Sequence, residues 1–304
     1  MAEIALFDHA SVVRNRLRSH VPIFLISEVA ARLSDRLLDI QRTFRAALDF
    51  SGRPGLSWAL SDSGAGAARG IETLYVIADA PKLATHGVPV IADSEALPVA
   101  DGQIDLAMSV MSLHWANDLP GTLVQVRRAL RPDGLLLAAF LGGDTLTELR
   151  ECLSAAEIEI SGGISPRVIP FADLRDAGGL LQRAGFALPV ADQDRINVTY
   201  ASPMALMHDL RAMGETNALS RRRRHFTSRA VFARATELYL QRYAKGDRIP
   251  ATFDVIYLTG WSPHDSQQKP LRPGSATSRL ATALDTEEQP TGEKALPKAS
   301  KIVP

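Results

Sequence analysis

Five short apolar runs mark the first half of the chain: Ala46 to Phe50, Leu74 to Ala78, Val88 to Ala92, Ile104 to Val110 and Leu135 to Phe140. Each has strand length and little polar alternation, the pattern of strands buried on both faces. Helical spacing fills several of the gaps. Leu119, Leu123, Val126 and Leu130 recur along one helical face, and Pro132, Asp133 and Gly134 then predict a turn. Ahead of the runs, Ile23, Leu25, Ile26, Val29, Leu33, Leu37 and Ile40 predict an apolar helical face from Ser27 on, because Pro22 interrupts any earlier helix. Strands alternating with helices predict an α/β fold built on a doubly wound, mostly parallel sheet.

After Phe140 the pattern changes. Asp144 to Ile160 and Phe171 to Ala184 read as helices, stopped by Gly162-Gly163 and by Gly185. Asp144 fits an N-cap of the first, with substrate orientation as its other reading. Phe186 to Tyr200 reads as extended, Pro203 to Arg248 as mostly helical, and Thr252 to Trp261 as a strand. The polar tail from Arg279 predicts disorder. The expected organisation is an N-terminal helical segment 1–44, a main domain 45–278 that includes a helical cap 201–248, and a tail 279–304.

Composition narrows the class. Lys plus Arg and Asp plus Glu each number 34 among 304 residues, and that neutrality argues against a dedicated nucleic-acid binder. The single cysteine, Cys152, excludes a disulfide framework and a cysteine-rich zinc site, and reads as inert packing in a reducing compartment. The seven histidines show no metal-ligand spacing, so no metal site is expected. The longest apolar runs fall far short of a bilayer span, and MAEIALFDHA lacks a signal core, which points to a cytoplasmic protein. Neutrality is also a cancellation between regions. Residues 71–160 hold 13 acids and 5 bases, whereas residues 201–248 hold 10 bases and 4 acids. The basic run Arg221 to Arg224 reads as a solvated face, or as a docking surface for an acidic partner or membrane headgroups.

In an open α/β sheet, ligands bind beyond the carboxyl ends of the strands near the switch point. Asp49 ends the first expected strand and opens the turn Phe50-Ser51-Gly52-Arg53-Pro54-Gly55. Asp79 follows the second, Asp93 and Ser94 the third, and Ser109 to Trp115 the fourth. A carboxylate after strand two can accept from both hydroxyls of a ribose, and an acid beside a small polar residue after strand three can read an adenine amino group. The order favours an adenosine-type ligand. Nicotinamide dinucleotides fit less well, since no G-x-G-x-x-G opens a helix. His114 and Trp115 read as a substrate-side pocket wall with a possible proton acceptor, or as a packed aromatic corner with a satisfied histidine.

Several strings carry a family resemblance: SLHWANDLP (Ser112 to Pro120), GGDTLTELR (Gly142 to Arg150), SPRVIPFADLRDAGGLLQRAGF, DLRAMGETNAL, IPATFDVIYLTGW, GSAT at Gly274 to Thr277, and the opening LFDHASVVRNRLR. Together they resemble class I S-adenosyl-L-methionine-dependent methyltransferases, in the subfamily of mitochondrial complex I assembly factor 5 and its bacterial relatives. Malonyl-acyl-carrier-protein methyltransferases of biotin synthesis are more distantly similar. The resemblance implies a seven-stranded Rossmann-like sheet with a helical cap before the last strand. It implies that Asp49, Gly52 and Gly55 flank the methionine part of S-adenosyl-L-methionine, that Asp79 holds the ribose, and that Asp93 and Ser94 flank the adenine. It places Ser109, His114 and Trp115 between cofactor and substrate. The implied function is assembly of respiratory complex I through a peripheral-arm subunit, by methyl transfer or arginine hydroxylation, in a bacterial cytoplasm or at the inner membrane.

One departure stands out. The family turn reads Asp-x-Gly-x-Gly-x-Gly, but here only Asp49 and Gly55 match. Ser51 adds a Cβ where backbone should approach the cofactor, and Pro54 removes a donor. That change favours the alternative of a non-catalytic assembly chaperone of the same fold. A malonyl-carrier-protein O-methyltransferase is the other alternative.

Overall fold

The computed structural model describes residues 5–19 and 24–268, with three isolated positions beyond. Pro22, Ile23, the GSAT segment and nearly all of the tail from residue 279 lie outside the described residues. The chain divides into two compact units, Met1–Asp265 and Ser266–Pro304. All elements described below belong to the first; the second lies almost entirely outside the described residues.

Two helices open the chain, α1 (His9–Leu17) and α2 (Phe24–Leu38). Then follow β1 (Ala46–Asp49), α3 (Leu56–Asp62), α4 (Ala65–Ala68), β2 (Thr73–Ala78), β3 (Val88–Ile91), β4 (Ile104–Val110), α5 (Leu119–Ala129) and β5 (Leu130–Gly142). The second half holds α6 (Thr147–Ser161), α7 (Leu174–Arg183), β6 (Ala187–Tyr200), α8 (Pro203–Ala212), α9 (Arg229–Tyr243) and β7 (Ile249–Trp261). The strands form one seven-stranded sheet in the order β3-β2-β1-β4-β5-β7-β6. The first five pair in parallel, and β7 runs antiparallel to both β5 and β6. The chain winds outward from β1 to β3 and returns to β4 on the other side, so the switch point falls between β1 and β4.

The non-alternating runs are explained by the two cores. Leu135, Leu137, Ala139 and Leu141 of β5 face one apolar cluster, and Leu136, Ala138 and Phe140 face the other. Side chains alternate across a strand, so a strand covered on both faces must be apolar throughout. The first cluster takes Leu25, Ile26, Val29, Leu33 and Leu37 from α2, which share one helical face. The second takes Leu123 and Val126 from α5 and Leu180 and Leu181 from α7. Helix α5 begins where the Asp118 carboxylate accepts from the Gly121 backbone N at 2.8 Å, with Pro120 in its first turn.

Several boundaries differ from the sequence pattern for identifiable reasons. Helix α2 starts at Phe24, before Ser27. The turn at Pro132 to Gly134 is absorbed into β5 as a bulge, between the pairs Ile104↔Leu130 and Leu106↔Leu135. Asp144 does not cap α6: Arg195 binds its carboxylate at 2.8 Å, and Leu146 holds the cap position with φ of 55°. The cap is two helices, α8 and α9, joined by the non-helical stretch 213–228. Strand β7 starts at Ile249, ahead of Thr252.

Candidate active site

Strand β1 delivers Asp49 beneath the altered turn. Its carboxylate accepts from the Ser51 backbone N at 2.9 Å and from the Ser51 hydroxyl at 2.5 Å. The Ser51 hydroxyl accepts in turn from Val110 N at 2.9 Å, which ties the ends of β1 and β4 together. The Ser51 side chain is therefore turned inward and wholly buried. Burial pushes Asp49 up to about 6, against the opposing effect of the Ser51 hydrogen bonds. Gly52 and Gly55 take φ of 62° and 137°, values that glycine adopts at little cost. A tight turn thus forms from the departed sequence, with its left-handed residue at Gly52.

Two arginines close over this turn. Arg16 comes from α1 and Arg53 from the turn itself, and their side chains are only 3% and 4% exposed. Arg16 donates to the Ser112 hydroxyl at 2.9 Å, and its Nη1 lies 3.9 Å from Asp79 Oδ2. A Cβ on Gly52 would stand 2.6 Å from that Nη1, so the guanidinium rests on the bare face of Gly52. Arg53 donates to Glu215 Oε1 at 2.8 Å.

Glu215 follows α8 and reaches the end of β4. Its Oε2 accepts from Trp115 Nε1 at 2.7 Å and lies 3.0 Å from His114 Nε2. Burial disfavours its charge, but Arg53, His114 and the Trp115 indole outweigh that and hold the carboxyl down at about 2. Burial pushes His114 below its ordinary range, against the pull of Glu215. Leu141 N donates toward His114 Nδ1 at 3.4 Å, so one proton, on Nε2, satisfies both ring contacts of a neutral imidazole. Both ring nitrogens are thereby occupied, and the ring packs near Trp115 and Phe171. Just before this group, buried Met111 sits at φ of 52°, a strained backbone position that turns the chain sharply out of β4.

The remaining sequence candidates lie around the same strand ends. Asp79 follows β2, with His9 Nε2 2.9 Å from its Oδ1. Its side chain is 5% exposed, and neither oxygen receives a well-aligned hydrogen bond. That contact raises His9 above its ordinary range, against burial. Asp93, exposed beyond β3, accepts from Glu95 N at 2.8 Å. Ser94 lines a cavity with His9, Arg16, Phe50, Ser112 and Trp115. Ser109 is buried in β4, its hydroxyl without a partner. His9, Asp79 and Asp93 bring one potential ligand atom each within 4.8 Å of one another, a spacing able to hold a cation, although the nearby Arg16 charge opposes one.

A second cavity lies on the far side of Trp115. Leu141, Leu149, Arg167, Phe171 and Glu215 line it with Trp115. The N-terminal segment is stitched across this region. Phe7 exchanges backbone hydrogen bonds with the Asn117 side chain and meets the Trp115 ring edge-on at 5.2 Å. Arg222 donates to Asp8, and Arg223 lies 3.6 Å from Glu157, so half of the basic run serves as internal staples. Sequence reasoning missed Arg16, Arg53, Glu215 and His9. The strings LFDHASVVRNRLR and DLRAMGETNAL contain His9, Arg16 and Glu215, but nothing in them singles these residues out; Arg53 lies in the altered turn.

Comparison with known proteins accounts for this architecture. The family described as Methyltransferase domain matches residues 59–138. The arginine-hydroxylase NDUFAF5, mitochondrial, of Danio rerio is 38% identical over 267 residues, covering 85% of this chain and 81% of that protein. The malonyl-[acyl-carrier protein] O-methyltransferase of Gallionella capsiferriformans is 37% identical over 178 residues, covering 58% of each chain. The solved structure of BH2331, a candidate methyltransferase of Bacillus halodurans, superposes with a TM-score of 0.51 at 12% identity, covering 78% of this chain and 100% of that one. That likeness concerns the fold alone. The extent and identity of the first match, on a seven-stranded sheet of the class I methyltransferase kind, show that this chain is a member of the arginine-hydroxylase NDUFAF5 family of enzymes.

Proposed function

We propose that this chain binds S-adenosyl-L-methionine beyond the carboxyl ends of β1 to β4 and modifies an arginine side chain of a peripheral-arm subunit during assembly of respiratory complex I. The observation that carries the reading is the pair of cavities that meet at Trp115, with the buried carboxylate of Glu215 on the substrate side. The rings of Trp115 and Phe171 in that cavity suit a guanidinium, which is planar and has affinity for aromatic rings. The similarity to an arginine hydroxylase over 85% of this chain supports the same substrate class.

The cleft residues fit the cofactor. Asp79 offers a buried carboxylate whose Oδ1 faces His9 at 2.9 Å while its Oδ2 has, among the described residues, no donor nearer than Arg16 at 3.9 Å, which leaves acceptor capacity for a ribose hydroxyl. Ser109 keeps an unpartnered hydroxyl under the cleft. Asp93 and Ser94 would border the adenine, while Gly52 and Gly55 shape the methionine end and Asp49 braces the turn from below. Bound S-adenosyl-L-methionine would supply an activated sulfonium methyl group for methyl transfer, which needs no strong catalytic acid; hydroxylation of the arginine would in addition consume an oxidant of the dioxygen class, with two electrons from a reductant. The protein's own contribution is positioning and exclusion of water. His114 holds Glu215 and Trp115 in register, because its two nitrogens already have partners.

No helix among the described residues is long and apolar enough to cross a membrane. We place the protein in a bacterial cytoplasm, its basic cap 201–248 facing an acidic partner or membrane headgroups at the inner membrane. Exposed Arg221, Arg224 and Phe226 would lead that contact. A non-catalytic chaperone is the second reading, favoured by the occupied ring of His114.

Mass spectrometry of complex I peripheral-arm subunits tests this directly. Subunits from a strain with the gene should carry an arginine heavier by one oxygen atom, and that signal should vanish on deletion and in an Asp79→Ala strain. A gain of one methylene instead would assign methyl transfer. Unmodified subunits in the wild type, with assembly failing only on deletion, would establish the chaperone reading.

A further inference from the structure

Two buried guanidinium groups lie beside the altered turn, Arg16 lining the cavity with Ser94 and Ser112, and neither is fully partnered. Arg16 donates to Ser112, but its Nε is buried without an acceptor. Arg53 donates to Glu215, but its Nε and Nη1 are likewise buried without acceptors. Buried donors on a cation are costly to leave unmade, so a persistent set of them marks a place where an acceptor arrives.

The charges already present do not complete the set. Glu215 is engaged by Arg53, His114 and Trp115 together. Asp79 stands 3.9 Å from Arg16, with His9 on its other oxygen. Asp49 is turned under the turn toward Ser51 and is pushed toward its neutral form. Burial and the neighbouring Arg53 charge push Arg16 down to about 10, which a further negative group would relieve.

The turn offers fewer amide donors than a glycine-rich one. Ser51 N is occupied by Asp49, Pro54 has no N–H, and the Arg16 guanidinium covers the bare face of Gly52. In a glycine-rich turn, backbone amides normally approach the ligand. Here the Arg16 guanidinium stands on that face, and Arg53 rises from the turn itself toward Glu215.

We propose that Arg16 and Arg53 form a carboxylate anchor, which binds the amino-acid end of the methionine-derived cofactor in place of turn amides. The proposal rests on the cofactor reading above and deepens it. It assigns to the altered turn a changed mode of binding rather than a lost one. It also couples the cap to the cofactor, because Glu215 fixes one face of Arg53 and leaves Nε and Nη1 for the ligand.

Isothermal titration of the full chain with two ligands tests it. S-adenosylhomocysteine carries the amino-acid carboxylate; methylthioadenosine keeps the nucleoside and the thioether but has no carboxylate. The wild type should bind the first at least about tenfold more tightly, the worth of one charge-assisted contact. Arg16→Met should remove that preference while methylthioadenosine affinity stays within about twofold. Arg16→Lys and Arg53→Lys, which keep the charge and spare the fold, should retain part of the preference. Thermal unfolding of each variant confirms that it is folded. Equal binding of the two ligands by the wild type, or an Arg16→Met variant that keeps its preference, would overturn the anchor and leave the cofactor reading intact. A wild type that binds neither nucleoside would overturn the cofactor reading and the anchor with it.

Discussion

Replacing Glu215 by Gln isolates the electrostatic contribution of one buried carboxylate. The side chain keeps its shape and one acceptor, so the Trp115 indole can still be satisfied. What is lost is the counter-charge to Arg53, which has a side chain only 4% exposed. Removing one partner of a buried pair costs about 3–5 kcal/mol, because the other charge stays buried. A second route gives a similar figure. Holding the carboxyl at about 2 rather than the ordinary 4.5 corresponds to about 3 kcal/mol in favour of the ionised folded form. Urea unfolding should therefore show Glu215→Gln less stable by about 3 kcal/mol at pH 7, with an unchanged denaturant slope. The sign with pH also follows. The folded carboxyl lies below its unfolded value, so its contribution is complete above about pH 5 and fades as pH falls toward 2. The variant should lack that fading. A double-mutant cycle with Arg53→Met should return a coupling of about 2 kcal/mol. A variant within about 0.5 kcal/mol of wild type, or an additive cycle, would refute the claim that this pair holds the cap to the turn.

Asp49 titrates in the opposite sense. Its folded pKa of about 6 lies above the ordinary 3.8, so the folded state binds more protons between them and loses stability as pH rises through that window; Asp49→Asn should flatten this slope in pH-resolved unfolding. Gly52→Ala would set a Cβ 2.6 Å from Arg16 Nη1 at a positive φ, with an expected loss of at least about 1 kcal/mol by thermal melting. Cys152 is fully buried, and burial pushes its thiol up to about 11. A thiol reagent at pH 8 should therefore leave the native chain unlabelled and react only on unfolding. Asp118→Ala removes the N-cap of α5 and should cost about 1 kcal/mol in the same melting assay.

The sheet was legible in the sequence because its strands are short runs with both faces covered. Leu135 to Phe140 could serve neither as a surface strand nor as a helix ending before Gly142. Helix boundaries were less legible where long-range chemistry intervenes. Asp144 has the residue type of a cap, but Arg195 of β6 takes its carboxylate. Asp49, Asp79, Asp93 and Ser109 could be placed by strand ends, since topology alone brings those ends together. Glu215 could not. It meets Arg53 across 162 positions and His114 across 101, and no local pattern encodes such a meeting. Arg16 was hidden for a related reason: on a helix rich in arginine, nothing local marks the one that is buried. The changed glycine turn was visible, but Ser51 folding inward beneath β4 was not.

Asp79 is the proposed ribose acceptor on which the S-adenosyl-L-methionine site rests. Titration of the purified full chain with S-adenosyl-L-methionine, alongside Asp79→Ala, examines that directly. The wild type should bind saturably at micromolar ligand, and the variant should lose that binding. No binding up to millimolar ligand, or equal binding by both proteins, would contradict it.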